Sequence, residues 1–217
     1  LQLSYDAQGN RTRARSATGT AVQSDVDYSY DRYGRLLQQD DPDHGLYTYS
    51  YDALGQKLSE VSPAMAAAAP AQSRTFTYDL LGRMTSRTEP EGTTTWSYDD
   101  TTGGNLGLGK VHSESQSYFY RQYYYNPGYN GRLSSVTTVI GGSLYSQSVT
   151  YNSAGQVATE TYPASPAAPA GFIVEYTYNA LGYLERVQNQ GGSEVYYQTL
   201  ATDAKGRILS EWMGDGS

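Results

Sequence analysis

The feature that most constrains this fold is a short motif that recurs along the chain of 217 residues: tyrosine, aspartate or asparagine, two variable residues and glycine. The motif starts lie 20 to 27 residues apart, a spacing typical of arrays that stack one small structural unit many times. One such unit cannot bury a core alone, so the array predicts a fold in which each unit packs on its neighbours. The regular copies are Tyr5, Asp6 and Gly9; Tyr30, Asp31 and Gly34; Tyr51, Asp52 and Gly55; Tyr78, Asp79 and Gly82; Tyr151, Asn152 and Gly155; and Tyr178, Asn179 and Gly182.

Three less regular copies bring the total to about nine. Asp203 and Gly206 belong to a copy whose tyrosine is replaced by threonine. The copies that start at Tyr98 and Tyr125 carry insertions, and the sequence predicts that Gly109 and Gly131 are their turn glycines.

Apolar residues before and after the motif predict β-strands. A large apolar residue stands two positions before each motif tyrosine, which places both side chains on one face of a pleated strand. We expect this face to be the packed one, with the tyrosine hydroxyls at its margin in solvent. The preceding residues are Leu3, Tyr28, Tyr49, Phe76, Trp96, Tyr123, Val149, Tyr176 and Leu200.

The motif itself predicts a hairpin turn. Its aspartate or asparagine side chain can accept a hydrogen bond from the backbone N–H two residues on, and its glycine can adopt a positive φ. An apolar residue usually follows two positions after the glycine, as Leu36 and Met84 do. Lys57 and Arg11 break this rule, and we expect a bulge to correct the register at Lys57.

These patterns together predict an all-β fold of tandem antiparallel hairpins, which form a curved, spiralling sheet as a single array over residues 1–217. The segments Asp40–Gly45, Ser62–Pro70 and Tyr162–Pro169 are expected to be exposed loops on one rim, with a helical turn at Ala64–Ala69. The chain opens inside a repeat at Leu1, so we expect it to be a fragment whose open edges favour self-association.

Composition argues against several classes of function. The net charge of −7 is spread among interspersed signs, so no basic stripe is available for nucleic acid or anionic lipid. No segment approaches the roughly 18 apolar residues of a membrane span, so we expect no membrane insertion. The chain has no cysteine, which removes disulfides and thiolate metal sites.

No motif in the sequence predicts catalysis, a metal or a cofactor. His44 and His112 lie outside known catalytic patterns, and the cluster Asp40, Asp41 and Asp43 lacks the spaced ligands of a calcium loop. The glycine-rich segment 103–109 lacks the Lys-Ser/Thr of a phosphate loop, which favours a flexible hairpin insertion. Aspartates at one shared turn position are better explained by hydrogen bonding in the turn than by acid–base chemistry.

The run Tyr118–Tyr125 allows two interpretations. Its aromatic side chains fall on both strand faces, so one set is expected to pack and the other could stack on sugar rings or pack on a neighbouring layer. We favour packing.

Two segments resemble one known repeat closely. Tyr28–Leu36 and Phe76–Met84 are similar to the RHS (rearrangement hotspot) or YD repeat, Tyr-x-Tyr-Asp-x-x-Gly-Arg-Leu, with Arg35 and Arg83 at its arginine. Looser copies cover almost the whole chain. Asp41-Pro42 shares only the first two residues of the self-cleavage motif that ends many bacterial shells, so cleavage is not transferred to it.

The resemblance implies a fold and a role. Repeats of this family build a hollow β-shell, which in secreted bacterial toxins and insecticidal toxin complexes encloses a C-terminal toxic polypeptide. Related shells of animal teneurins act in cell-surface adhesion. We therefore expect a structural, non-enzymatic section of a secreted or cell-surface shell, whose partners are the rest of that shell and an enclosed toxin domain. The alternative is an adhesion or glycan-binding array.

Overall fold

The computed structural model describes residues 1–16, 24–165, 169, 171–192 and 194–214. The described residues form eighteen β-strands, one short α-helix and two single-turn 3-10 helices. Consecutive strands pair antiparallel within each of two compact units, Leu1–Trp96 and Ser97–Ser217. The predicted all-β class of tandem antiparallel hairpins is confirmed.

The first unit is an antiparallel meander. Its strands are β1 (Gln2–Tyr5), β2 (Arg11–Ser16), β3 (Ser24–Tyr30), β4 (Leu36–Asp41), β5 (Gly45–Tyr51), β6 (Lys57–Val61), β7 (Arg74–Tyr78), β8 (Met84–Glu89) and β9 (Gly92–Tyr98). The boundary between the units falls inside β9. Each motif turn joins an odd-numbered strand to the next even-numbered one, so the motif turns share one edge of the meander.

The second unit repeats this plan. Its strands are β10 (Val111–Gln116), β11 (Phe119–Asn126), β12 (Arg132–Ile140), β13 (Ser143–Tyr151), β14 (Val157–Tyr162), β15 (Phe172–Tyr178), β16 (Leu184–Asn189), β17 (Val195–Thr202) and β18 (Ile208–Met213). The 3-10 helices, Thr102–Gly104 and Pro127–Tyr129, occupy the two predicted insertions.

The linkers differ in part from the loops that the sequence predicts. Asp40 and Asp41 belong to β4 and Gly45 begins β5, so this connection is a tight hairpin instead of a rim loop. The expected helical turn forms as α1 (Pro63–Ala67), because Ser62 Oγ accepts a hydrogen bond from Met65 N at 3.3 Å. Residues 166–168 of the third predicted loop lie outside the described residues.

Neither unit has an extensive apolar core. Among the described residues, the buried hydrophobic side chains are Phe76 and Val174, each 7% exposed. A single antiparallel sheet can cover its side chains only with one another, so most strand residues stay half-buried. Stability must therefore come from contacts between neighbouring hairpins. No helix within the described ranges is long and apolar enough to cross a lipid bilayer.

Candidate functional site: the junction between repeats

Each regular motif forms the same hairpin turn. The glycine has a left-handed conformation, with φ from 77° to 88° in the six regular copies. Its N–H donates to the carbonyl of the motif aspartate or asparagine at 2.9–3.2 Å. The N–H of that aspartate or asparagine donates in turn to the carbonyl of the residue after the glycine at 2.9 Å. A residue with a Cβ would be strained at the glycine position.

The motif carboxylate accepts one more backbone hydrogen bond than the sequence predicts. Asp31 Oδ1 accepts from Tyr33 N, two residues on, at 2.8 Å and also from Arg35 N, four residues on, at 3.0 Å. The same pair of bonds is made by Asp6, Asp52, Asp79, Asn179 and Asp203. One oxygen thus holds both sides of the turn.

These hydrogen bonds favour the ionised carboxylate. The backbone N–H of Arg83 lowers the pKa of Asp79, desolvation partly opposes this effect, and the Arg83 guanidinium lowers the pKa further. The backbone N–H of Arg207 acts first on Asp203, whose pKa is also lowered. The Asn10 side chain has the largest effect on Asp6, again lowering the pKa.

The residue after the glycine connects one motif turn to the next. Arg35 Nε lies 2.6 Å from Asp31 Oδ2 within its own turn, and Arg35 Nη1 donates to Asp52 O of the following turn at 2.6 Å. Its guanidinium also lies 5.0 Å from the ring centroid of Tyr51. Arg35 therefore binds two successive repeats at once.

Other side chains make the same connection at this position. Gln156 Nε2 donates to Gly182 O at 2.7 Å, and Tyr183 Oη donates to Lys205 O at 3.3 Å. Lys110 Nζ donates to Gly131 O. We call these contacts, with those of Arg35, the turn-to-turn contacts. An arginine, a lysine, a glutamine and a tyrosine all make this contact, so several types of long side chain with a donor can supply it.

Five of the motif tyrosines bind the preceding hairpin through their hydroxyls. Each donates to the backbone carbonyl of the residue two positions after the preceding motif glycine, at 2.8–3.0 Å. The pairs are Tyr30 with Arg11, Tyr78 with Lys57, Tyr125 with Val111, Tyr151 with Leu133 and Tyr178 with Val157. These hydroxyls were expected in solvent; in the five pairs they bond to backbone, and only the bond of Tyr30 is exposed.

The strand register explains why those carbonyls need a partner. The ladder between β12 and β13 begins with Ser135 opposite Ser148, so Leu133 lies before the first pair of that ladder. The ladder between β14 and β15 likewise begins at Thr159, two residues after Val157. Neighbouring hairpins diverge here, and the tyrosine fills the gap and satisfies a carbonyl that strand pairing leaves free.

An apolar residue usually stands two positions after the motif glycine, but in two repeats a cation takes this place. Lys57 pairs with Tyr51 as Leu36 pairs with Tyr30, and both ladders have a register shift just before the tyrosine. A bulge is therefore present beside Lys57, but it is the one that the regular hairpin also has, and it leaves Lys57 in the position of Leu36. The Lys57 ammonium lies 4.8 Å from the ring centroid of Phe76. The Arg11 guanidinium lies 4.4 Å from the ring of Tyr28. Their alkyl stems cover the sheet while each charge rests on an aromatic face.

The two histidines belong to different units, and each has its own polar neighbours. The side chain of His44 is 72% exposed, with Nδ1 at 3.2 Å from Asp41 Oδ2. His112 Nδ1 lies 3.4 Å from Asp100 Oδ2, and His112 Nε2 faces the Gln122 amide at 3.4 Å. An amide therefore occupies the position where a nucleophile would be needed for a triad.

The acidic and glycine-rich segments are tied into turns. Asp41 Oδ1 accepts from Asp43 N at 2.9 Å, and no three metal-ligating side chains converge within the described ranges. Asn105, only 2% exposed, anchors the glycine-rich insertion: its Oδ1 accepts from Tyr125 N at 2.7 Å and its Nδ2 donates to Asp100 Oδ2 at 2.9 Å. The insertion is therefore bonded to β11, and no sequence pattern singled out Asn105.

The tyrosine run of β11 is partly bonded to backbone. Tyr125 Oη and Tyr124 Oη donate to carbonyls at 3.0 and 3.2 Å. Tyr118 and Tyr120 are 64% and 36% exposed. Glycan binding by the exposed members stays a prediction.

Comparison with known proteins finds one family model that matches part of the chain and one shared fold. The RHS repeat model matches residues 30–64 and 70–94. No curated protein sequence matches the chain. The crystal structure of TcdB2-TccC3 without its hypervariable C-terminal region superimposes over 97% of this chain with a TM-score of 0.60 and 17% identity.

Two further structures show the same fold. The crystal structure of TcdB2-TccC3-TEV covers 96% of this chain with a TM-score of 0.63 and 16% identity. A Photorhabdus luminescens Tc holotoxin pore covers 96% with a TM-score of 0.58 and 17% identity. This chain spans only 12–13% of the length of those toxin chains.

Proposed function

We propose that this chain, an RHS-repeat protein, is a section of the wall of a hollow β-shell that encloses and shields a C-terminal toxin polypeptide of a secreted bacterial toxin. The observation that carries the proposal is the superposition of 97% of the chain on 13% of a TcdB2-TccC3 chain. A chain that corresponds to 13% of such a protein is long enough to form a section of its wall.

The energetics of the repeats support this role. Neighbouring hairpins are joined by tyrosine hydroxyls and turn-to-turn contacts, and the two buried hydrophobic side chains among the described residues are too few for a separate core. Such a chain gains stability by adding neighbours at its edges. Its mechanism would be steric: the wall keeps protease and solvent from the enclosed polypeptide, and no residue of the wall performs chemistry.

Limited proteolysis of the longer toxin tests the proposal. The C-terminal segment is digested within the intact protein, alone, and within a protein that carries Gly34→Val and Gly82→Val. The matched control carries Gly34→Asn and Gly82→Asn, because asparagine tolerates a left-handed backbone. We expect protection in the intact protein and the control, and faster cleavage in the valine variant. Equal cleavage of the segment in the intact protein and alone would contradict enclosure.

A further inference from the structure

An aromatic pocket of about 410 Å³ lies in the second unit, where side chains of β14, β15, β16 and β17 meet. It opens on the face that carries the motif tyrosines, since Tyr176 stands two residues before Tyr178 and faces Val187 across the ladder. The lining residues are Tyr162, Phe172, Val174, Tyr176, Val187 and Tyr196.

Three rings form the accessible rim of this pocket. The ring centroid of Phe172 lies 6.3 Å from that of Tyr162 and 6.0 Å from that of Tyr196. Tyr162 and Phe172 are 39% and 40% exposed, whereas Val174 at the base is 7% exposed. The pocket thus has an apolar base and aromatic faces within reach of a ligand.

A carboxylate without a cationic partner borders the rings. Glu160 Oε2 accepts hydrogen bonds from Tyr162 Oη at 3.1 Å and from Tyr176 Oη at 3.0 Å, and Oε1 faces the Gln147 amide at 3.5 Å. All three donors are neutral, and within the described ranges no lysine or arginine pairs with Glu160. Burial and the Glu160 carboxylate raise the pKa of Tyr176 to about 12, so the ring keeps its proton.

The first unit has a glutamate at the corresponding position, and there it pairs with cations. Glu60 lies opposite Arg74 in the ladder, as Glu160 lies opposite Val174. Lys57 Nζ and Arg74 Nη1 bind Glu60 at 2.6 and 2.7 Å. Lys57 corresponds to Val157, since each pairs with its motif tyrosine.

A second arginine of the first unit also corresponds to a valine in the second unit. Phe76 lies opposite Arg87, whereas Tyr176 lies opposite Val187. Arg87 binds Glu89 at 2.9 Å and lies 5.9 Å from the ring of Trp96. The second unit therefore keeps the aromatic side chain and the glutamate, but valines stand where the first unit has two arginines. The connecting segments 163–171 and 190–194 contain no lysine or arginine.

We propose that this pocket binds a guanidinium group on an alkyl stem, which takes the place of the missing arginine side chains and pairs with Glu160. A guanidinium is planar, stacks on aromatic faces and bonds a carboxylate through two N–H groups. Its stem would pack on Val174 and Val187. The guanidinium can come from a free alkylguanidine or from an arginine of a polypeptide. Binding at this pocket does not depend on whether the chain is part of a shell.

Nuclear magnetic resonance of the full chain with labelled phenylalanine tests the site. The chain has only three phenylalanines, so Phe172 reports on the pocket while Phe76 and Phe119 serve as internal controls. The probes are butylguanidinium, its neutral isostere butylurea, and arginine blocked at both termini. We expect saturable shifts at Phe172 with a dissociation constant on the order of 1 mM for butylguanidinium, and at least about tenfold weaker binding of butylurea.

Two variants and a control identify the partner groups. Glu160→Gln should weaken binding about 3- to 10-fold. Val174→Arg, which restores the arginine of the first unit, should abolish binding and raise the melting temperature. The control Glu114→Gln removes a carboxylate that already has Arg121 at 3.6 Å, and should leave binding unchanged.

The outcomes separate the two sources and the rival ligands. Tighter binding of blocked arginine than of butylguanidinium would indicate a polypeptide ligand, and the reverse order a free alkylguanidine. Equal shifts with butylurea, no effect of Glu160→Gln in a folded chain, or saturation by a neutral oligosaccharide alone would overturn the proposal.

Discussion

At the scale of single residues, the motif tyrosine carries two separate functions. Its ring covers the sheet, and its hydroxyl satisfies a carbonyl that the diverging strands leave free, as Tyr151 does for Leu133 at 2.8 Å. A phenylalanine would keep the first function and lose the second.

Tyr151→Phe should therefore lower the free energy of unfolding by about 1 kcal/mol, because a half-buried carbonyl loses its partner. Tyr145 lies on the same strand, is 43% exposed and makes no hydroxyl contact within the described ranges. Tyr145→Phe is thus the matched control and should change stability by less than about 0.5 kcal/mol. Urea denaturation measures both, and equal effects would contradict the role given to the hydroxyl.

The motif glycine is required by its backbone conformation. Gly82 has φ +80°, and a Cβ there would lie 3.1 Å from Gln56 Nε2. Gly82→Val should cost about 1–3 kcal/mol, since a β-branched residue is strained at positive φ. Gly82→Asn should cost much less, as Asn130 already adopts φ 54° in this chain. An unchanged melting temperature for the valine variant would contradict the turn geometry.

Acid should weaken the aspartate turns before the asparagine turns. The pKa of Asp79 is lowered in the folded chain from its ordinary 3.8, so its contribution to stability is complete above about pH 5 and is lost as pH falls through the lowered value. Asn179 makes the corresponding turn and does not titrate. Amide exchange protection of Gly82 relative to Gly182 should be constant above about pH 5 and should fall as the pH drops from there through the lowered pKa of Asp79. Equal loss at both glycines would exclude the carboxylate as the cause.

At the scale of hairpins, the turn-to-turn contacts join neighbouring repeats along one edge. Arg35→Ala removes bonds both to its own turn and to Asp52 O, and should cost about 1–2 kcal/mol after allowance for partial exposure. Arg207 makes the same bond within its turn, to Asp203 at 2.6 Å, but is 76% exposed and serves the last turn of the chain. Arg207→Ala should cost less than about 0.5 kcal/mol. A similar loss of stability in the two variants would mean that the contact of Arg35 with the next turn does not stabilise the fold.

The hairpins could be predicted because their signals are local in the sequence. The contacts between hairpins could not be predicted in this way. Asp-x-x-Gly defines its own turn, because the side chain, the two N–H groups and the glycine lie within five residues. The tyrosine hydroxyl reaches a carbonyl 14 to 21 residues away, and that partner depends on where neighbouring strands stop pairing. Lys57 interrupts the regular spacing of apolar residues in the sequence. That spacing cannot show that a cation takes the apolar position by packing on an aromatic ring, as Lys57 does on Phe76.

At the scale of the whole molecule, the terminal strands expose apolar side chains that an added hairpin would cover. All six residues of β18 are exposed, including Leu209 at 68% and Trp212 at 45%. The prediction of a single array over residues 1–217 remains a prediction, as does self-association through its edges.

The isolated chain should self-associate through such an edge, because an exposed strand with apolar side chains offers unpaired backbone to a second copy. The double variant Leu209→Lys and Trp212→Lys should shift sedimentation toward monomer. Leu80→Lys changes a fully exposed leucine of a turn and should have no such effect. Wild-type chain that sediments as monomer at high concentration would contradict the prediction.

Electron cryo-microscopy of the proposed parent protein tests the central proposal most directly. If residues 1–217 are a section of wall, the map should show their strands continuing into further repeats on both sides and closing around density for the C-terminal polypeptide. A map with these strands in an open sheet, or with the C-terminal polypeptide outside it, would contradict the account.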